Sequence, residues 1–133
     1  MKIRFYLLGI FSVFILMVAC KKGPGIGGRA TISGKVYARN FSSSFVQNDS
    51  GYIGGQKVYI KYGDAPGVGD DVETDLNGTY TFYYLREGKY TIYVYSKQLI
   101  NNHLDVSVSQ TVEITKKKEE KVLPDFDIVT FKN

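Results

Sequence analysis

The chain has one cysteine, one histidine, three prolines and no tryptophan in 133 residues. A single cysteine, Cys20, excludes an intramolecular disulfide. The single histidine, His103, stands in a polar stretch before Leu104 and Asp105. No Ser/His/Asp or Cys/His arrangement can be assembled around it, which removes the nucleophile-and-base chemistry of the common hydrolases. No glycine-rich loop falls between a strand pattern and a helix pattern, so a phosphate cradle of that kind is missing too. Beyond residue 20 there is no apolar run long enough to span a membrane and no helical period of useful length.

What is present begins with residues 1–19. Lys2 and Arg4 precede an apolar run from Phe5 to Val18, broken only by Tyr6, Gly9 and Ser12, and Met17-Val18-Ala19-Cys20 closes it. A basic start, a short apolar core and a small residue before the cut describe a secretory signal. With cysteine next, the pattern resembles a bacterial lipoprotein signal, with Met17 where leucine is usual. The resemblance implies that Cys20 receives a diacylglyceryl thioether and becomes the acylated first residue of an envelope protein, with the outer membrane as the expected site. Lys21-Lys22 follows without the acidic run that resembles a surface-export signal, which favours the periplasmic side. The formal charge of +4 falls to +2 once Lys2 and Arg4 are removed. That weak positive charge, with the export signal, argues against nucleic acid as a partner. Residues 20–29, rich in glycine, read as a flexible lipidated tether, and residues 30–133 as one domain, expected to be monomeric.

From Thr31 the hydrophobic period becomes two. Ile32, Gly34, Val36 and Ala38 alternate with Ser33, Lys35, Tyr37 and Arg39, as in a half-buried strand. Further strands are predicted over 57–62, 71–75, 79–85, 90–95, 106–114 and 122–131. Residues 40–55 read as a long polar loop, Asn77-Gly78 as a hairpin turn, and Pro124 as a strand edge or bulge. About seven short strands, 11 tyrosines and 8 phenylalanines predict an all-β, Greek-key-type β-sandwich.

The stretch from Thr74 to Ile92, TDLNGTYTFYYLREGKYTI, carries a more specific pattern, T-D-x-x-G-x-Y-x-F-x-x-L-x-x-G-x-Y-x-apolar. It resembles the signature of transthyretin-like sandwiches, among them carboxypeptidase regulatory-like, Cna-B and SdrD-B-like domains. Ile32 to Tyr37, Gly55 to Ile60 and Asp125 to Ile128 resemble that family's first two strands and its closing strand. In physical terms, Tyr80, Phe82 and Leu85 fill one core layer, and the three-residue step before Leu85 implies a bulge. Tyr90, Ile92 and Val94 fill the facing layer. The resemblance fits the fold and says little of function. Cna-B relatives often form an isopeptide bond, but the assisting glutamate position is Val94 here and Lys35 points outward by parity. Hydroxyisourate hydrolases share the fold with several histidines and a Tyr-Arg-Gly-Ser ending; this chain ends Thr130-Phe131-Lys132-Asn133, which argues against that activity.

Two groups of side chains remain as candidate sites. Asp64, Asp70, Asp71, Glu73, Asp75 and Asn77 offer hard oxygen ligands suited to Ca²⁺, although their spacing is not that of an EF-hand and a solvated acidic loop with turn-forming Asp and Asn is the simpler reading. Tyr37, Tyr59, Tyr83, Tyr93 and Tyr95 fall on outward strand positions, where they stack on sugar rings, anchor a protein partner, or simply cover the sheet. The expected function is a lipid-anchored, non-enzymatic binding or structural module for an envelope protein or adhesion partner. Carbohydrate binding through the exposed tyrosines and a calcium-stabilised adhesin-like module are the alternatives, with no cofactor expected beyond that calcium.

Overall fold

The computed structural model describes residues 22–132. Cys20 and the signal-like stretch before it lie outside the described residues. Nine strands and no helix are formed among them: β1 (Ile26–Phe41), β2 (Gln47–Tyr52), β3 (Lys57–Tyr62), β4 (Asp70–Glu73), β5 (Thr79–Leu85), β6 (Gly88–Lys97), β7 (Asp105–Ile114), β8 (Glu120–Val122) and β9 (Phe126–Phe131). Five strands build one sheet around β1, and β4-β3-β6-β7 build the other. The two sheets close over one core as a β-sandwich.

β1 organises its sheet because it is long enough to serve four partners. One edge pairs antiparallel with β5 and then β2. The handover falls at Val36, whose amide donates to Gly78 O at 2.9 Å and whose carbonyl accepts from Ile53 N at 3.1 Å. The other edge pairs in parallel with β8 and then β9. The break between those two is Leu123-Pro124-Asp125, at the proline that cannot donate to a ladder.

The core follows from parity. Ala30, Ile32, Val36 and Ala38 of β1 face Val58 and Ile60 of β3 and Tyr90, Ile92 and Val94 of β6, all at 0–1% exposure. Tyr80, Phe82, Leu85, Phe126 and Ile128 complete the layer. Each fully buried aliphatic or aromatic side chain contributes about 1.5–3 kcal/mol relative to an exposed one. Gly34 is inside this layer because the ring of Tyr80 lies over it; a Cβ there would meet Tyr80 Oη at 2.4 Å.

Four expectations are corrected. Nine strands replace seven, because part of the expected 40–55 loop forms β2 and the expected 122–131 strand divides into β8 and β9. β2 has almost no apolar alternation because it is an exposed edge with little to bury. The Asn77-Gly78 turn does not close a hairpin within a sheet; it carries the chain from β4 in one sheet to β5 in the other. The tether is shorter than expected, since Ile26–Arg29 already belongs to β1 and Gly25 is buried. The hydroxyl of Tyr90 fixes this entry: it accepts from Gly25 N at 2.9 Å and donates to Arg86 O at 2.6 Å.

Candidate functional site

The outward tyrosines divide among three places rather than forming one face. Tyr59 of β3 and Tyr93 of β6 are register partners, and their rings stack at 5.1 Å and 16°. Tyr95, two residues further along β6, meets both edge-on, at 5.6 Å from Tyr59 and 5.8 Å from Tyr93. Packing of this kind fixes each ring against the others. Burial pushes the Tyr93 phenol pKa up, and Tyr95 and Tyr59 add to it.

Beside this triad is an open recess of about 380 Å³, lined by Lys61, Thr91, Tyr93, Tyr95, Ser107 and Ser109. The strand pairing explains why these residues meet. Lys61 is opposite Thr91, and Tyr93 and Tyr95 are opposite Ser109 and Ser107. One outer face of the four-stranded sheet therefore combines aromatic rings, small hydroxyls and an ammonium. That combination offers ring faces or edges to C–H groups and several hydrogen-bonding groups to hydroxyls. The volume falls in the usual range for small-ligand sites, about 300–1,000 Å³.

Tyr37 belongs to the opposite sheet. It contacts Tyr52 edge-on at 5.4 Å and donates to Ser50 Oγ at 2.8 Å. Tyr52 in turn donates to Asp125 Oδ2 at 2.8 Å, a hydrogen bond that raises its pKa. Lys35 lies over the Tyr52 ring, 4.6 Å from its centroid. Tyr83 is at the end of β5 beside Tyr84, their rings 6.1 Å apart. The implied bulge is at Tyr84, which adopts φ 59°. This reversal turns Leu85 back into the core and leaves both tyrosines 62% and 70% exposed.

Three of the acidic residues, Asp70, Asp71 and Asp75, make local bonds. Asp71 pairs with Lys57 at 3.2 Å, raising the lysine pKa through that hydrogen bond. Asp70 accepts from the amide of Asp71 at 2.8 Å. Asp75 Oδ1 accepts from the amides of Asn77 and Thr79 at 2.8 and 2.9 Å, holding the turn. Among the described residues no three His, Cys, Asp or Glu side chains are placed to hold a metal ion. Of the expected Asp70, Asp71, Glu73, Asp75 and Asn77 set, Asp71 and Glu73 share one side of β4, Asp70 has the opposite parity, and Asp75 caps the turn that holds Asn77. His103 is exposed in the β6–β7 connection.

Sequence reasoning singled out Tyr59, Tyr93 and Tyr95 but missed Thr91, Ser107 and Ser109. Small polar residues on outward positions look like ordinary sheet covering until the register sets them beside a ring. Tyr84 was missed as an exposed residue, although the three-residue step from Phe82 to Leu85 was its signal.

No protein-family model matches this chain, and no curated protein matches it. Among solved structures it is similar to a Pseudomonas aeruginosa protein provisionally described as carbohydrate-binding. The two share 18% identity and a TM-score of 0.41, over 79% of this chain and 89% of that one. A likeness this low assigns neither a ligand nor a site.

Proposed function

We propose that this chain is a non-enzymatic, lipid-anchored module of the bacterial cell envelope that binds glycan on the outer face of its four-stranded sheet. The observation that carries the reading is the fixed Tyr59–Tyr93–Tyr95 triad beside a recess lined by Thr91, Ser107, Ser109 and Lys61. A pyranose has an apolar C–H face and a rim of hydroxyls, and this surface supplies a partner for each. An apolar peptide segment would instead leave the hydroxyls and the ammonium unpaired, at a cost for each polar group covered. The open shape of the recess suits a chain of sugar rings passing over the sheet. Anchorage through Cys20 rests on the lipoprotein-like signal.

A glycan array tests the reading. The chain from residue 21 onward is expected to give a signal that Tyr93→Ala and Tyr95→Ala each weaken about ten-fold or more, in line with loss of one aromatic anchor. Tyr37→Ala, on the opposite sheet, is expected to leave it unchanged. A signal indifferent to Tyr93 and Tyr95, or no glycan bound at all, contradicts the proposal.

A further inference from the structure

Three features converge where the chain enters the fold. The first is charge. A recess of about 400 Å³ at the start of β1 is bordered by Lys22, Arg29, Arg86 and Lys117, with Glu87 as the lone acid. Arg86 is committed to the backbone, donating to Gly23 O at 2.8 Å and Ile26 O at 2.7 Å. Lys22, Arg29 and Lys117 are exposed and enter no salt bridge among the described residues. The nearby acid Glu119 is turned into its own loop. Its carboxylate accepts from the amides of Thr115 and Lys116 at 2.7 and 3.2 Å and pairs with Lys121 at 2.9 Å.

The second feature is apolar. Ile26, Tyr83 and Tyr84 border an adjoining recess that shares Leu85 with the basic one and has Asp70 as its one acid. Ile26 is 54% exposed, close to the exposure of the two tyrosines. Tyr84 has a strained backbone as well, since φ near +60° is uncommon for a residue with a side chain. Tyrosine beside cations is the composition that suits a membrane–water interface, where a ring sits among headgroups with its hydroxyl wet.

The third feature is the path of the chain. Arg86 holds Gly23, and Pro24 lies against Gly63 and Gly88, where a Cβ would come within 2.9 and 2.7 Å of it. Only two residues, Lys21 and Lys22, separate Cys20 from Gly23, and the three steps span at most about 11 Å when fully extended. Cations held that near a bilayer lie within about one Debye length of its surface charge.

We infer that this end of the sandwich is a membrane-docking surface. Lys22, Arg29 and Lys117 meet anionic lipid phosphates, and Ile26, Tyr83 and Tyr84 rest in the headgroup layer. The inference builds on the lipid-anchored reading of Cys20 but has its own physical content. The domain sits directly on the bilayer rather than swinging on a tether. The Tyr93 ring is five residues along β6 from Gly88 at this end, and that strand length raises the glycan face by roughly 15–17 Å.

Vesicle sedimentation tests it with the chain from residue 21 onward, which retains every core residue from Ala30 to Val129 and lacks Cys20. The expected result is binding to vesicles of phosphatidylcholine with about one-third phosphatidylglycerol, weakened by salt, and little binding to phosphatidylcholine alone. Replacing Lys22, Arg29 and Lys117 by alanine together is expected to weaken binding about 100-fold. Tyr84→Gly relieves the backbone while removing the ring, so it is expected to keep or raise Tm and still weaken binding. Equal binding to both vesicle types, or full binding by the triple or Tyr84→Gly variant, overturns the inference. Lipidation is read separately, by palmitate incorporation into the full chain and its Cys20→Ser variant, so its failure leaves the vesicle result standing.

Discussion

Tyr80 and Tyr90 are both buried to 1% exposure, but their hydroxyls meet opposite conditions. Tyr90 Oη accepts from Gly25 and donates to Arg86 O, so it secures the entry of the chain. Tyr80 Oη has no hydrogen-bond partner among the described residues, and burial pushes its pKa up. Deleting the two hydroxyls should therefore have opposite effects. Tyr90→Phe leaves the Gly25 amide unpaired and is expected to destabilise by about 1–3 kcal/mol. Tyr80→Phe removes a polar group that was never satisfied and is expected to be neutral or stabilising. Urea unfolding of both variants checks the pair; a large loss for Tyr80→Phe would show that its hydroxyl is satisfied after all. The burial of both rings was legible in the sequence, because they fall on the inward parity of strands with clean alternation. The state of their hydroxyls was not, since it depends on Gly25 and Gly34, far away along the chain.

Among the elements, those with one solvated face and one buried face were readable, and those serving two roles were not. β3 and β6 alternate cleanly, β5 does so up to its bulge at Tyr84, and all three match their predicted spans within a few residues. β2 reads as loop in the sequence because Gln47, Asn48, Asp49 and Ser50 have nothing apolar to bury. The acidic stretch around Asp70–Asn77 suggests a ligand cluster, but in β4 Asp70 has the opposite parity to Asp71 and Glu73, Asp71 is paired with Lys57, and Asp75 caps a turn. The β7–β8 connection illustrates another hidden role. Glu119 lies in a lysine-rich segment that reads as a solvated turn, yet the carboxylate ties that turn together. Its hydrogen-bonded pairing with Lys121, then its bonds to the Thr115 and Lys116 amides, hold its pKa at about 2, against an ordinary value of 4.5. Because the folded value is depressed, its stabilising contribution is complete above about pH 4.5 and is lost as pH falls through about 2. Glu119→Gln is expected to lower stability at neutral pH and to flatten the pH dependence of Tm between those limits. An unchanged acid profile would remove Glu119 from that role.

For the whole molecule, function follows from which parts of the sandwich remain unsatisfied. The core is closed, and one outer face is occupied by the Tyr37–Tyr52 pair, Lys35 and the Arg39–Asp127 bridge. The opposite outer face offers the Tyr59–Tyr93–Tyr95 triad and its hydroxyl-rich recess, and the entry end offers cations and exposed tyrosines. In the proposed docking orientation, with the entry end on the bilayer, the triad would face sideways and clear of the membrane. Cross-strand register alone brings Tyr59, Tyr93 and Tyr95 together, which is why outward tyrosines are identifiable from sequence but their grouping is not. The most direct measurement is backbone amide and tyrosine-ring NMR during titration with the glycan that binds best on the array. Glycan binding on the four-stranded sheet is expected to give saturable shifts confined to Tyr59, Tyr93, Tyr95 and the adjoining positions of β3, β6 and β7. Shifts centred on Tyr37 and Tyr52, or scattered over both sheets, would contradict it.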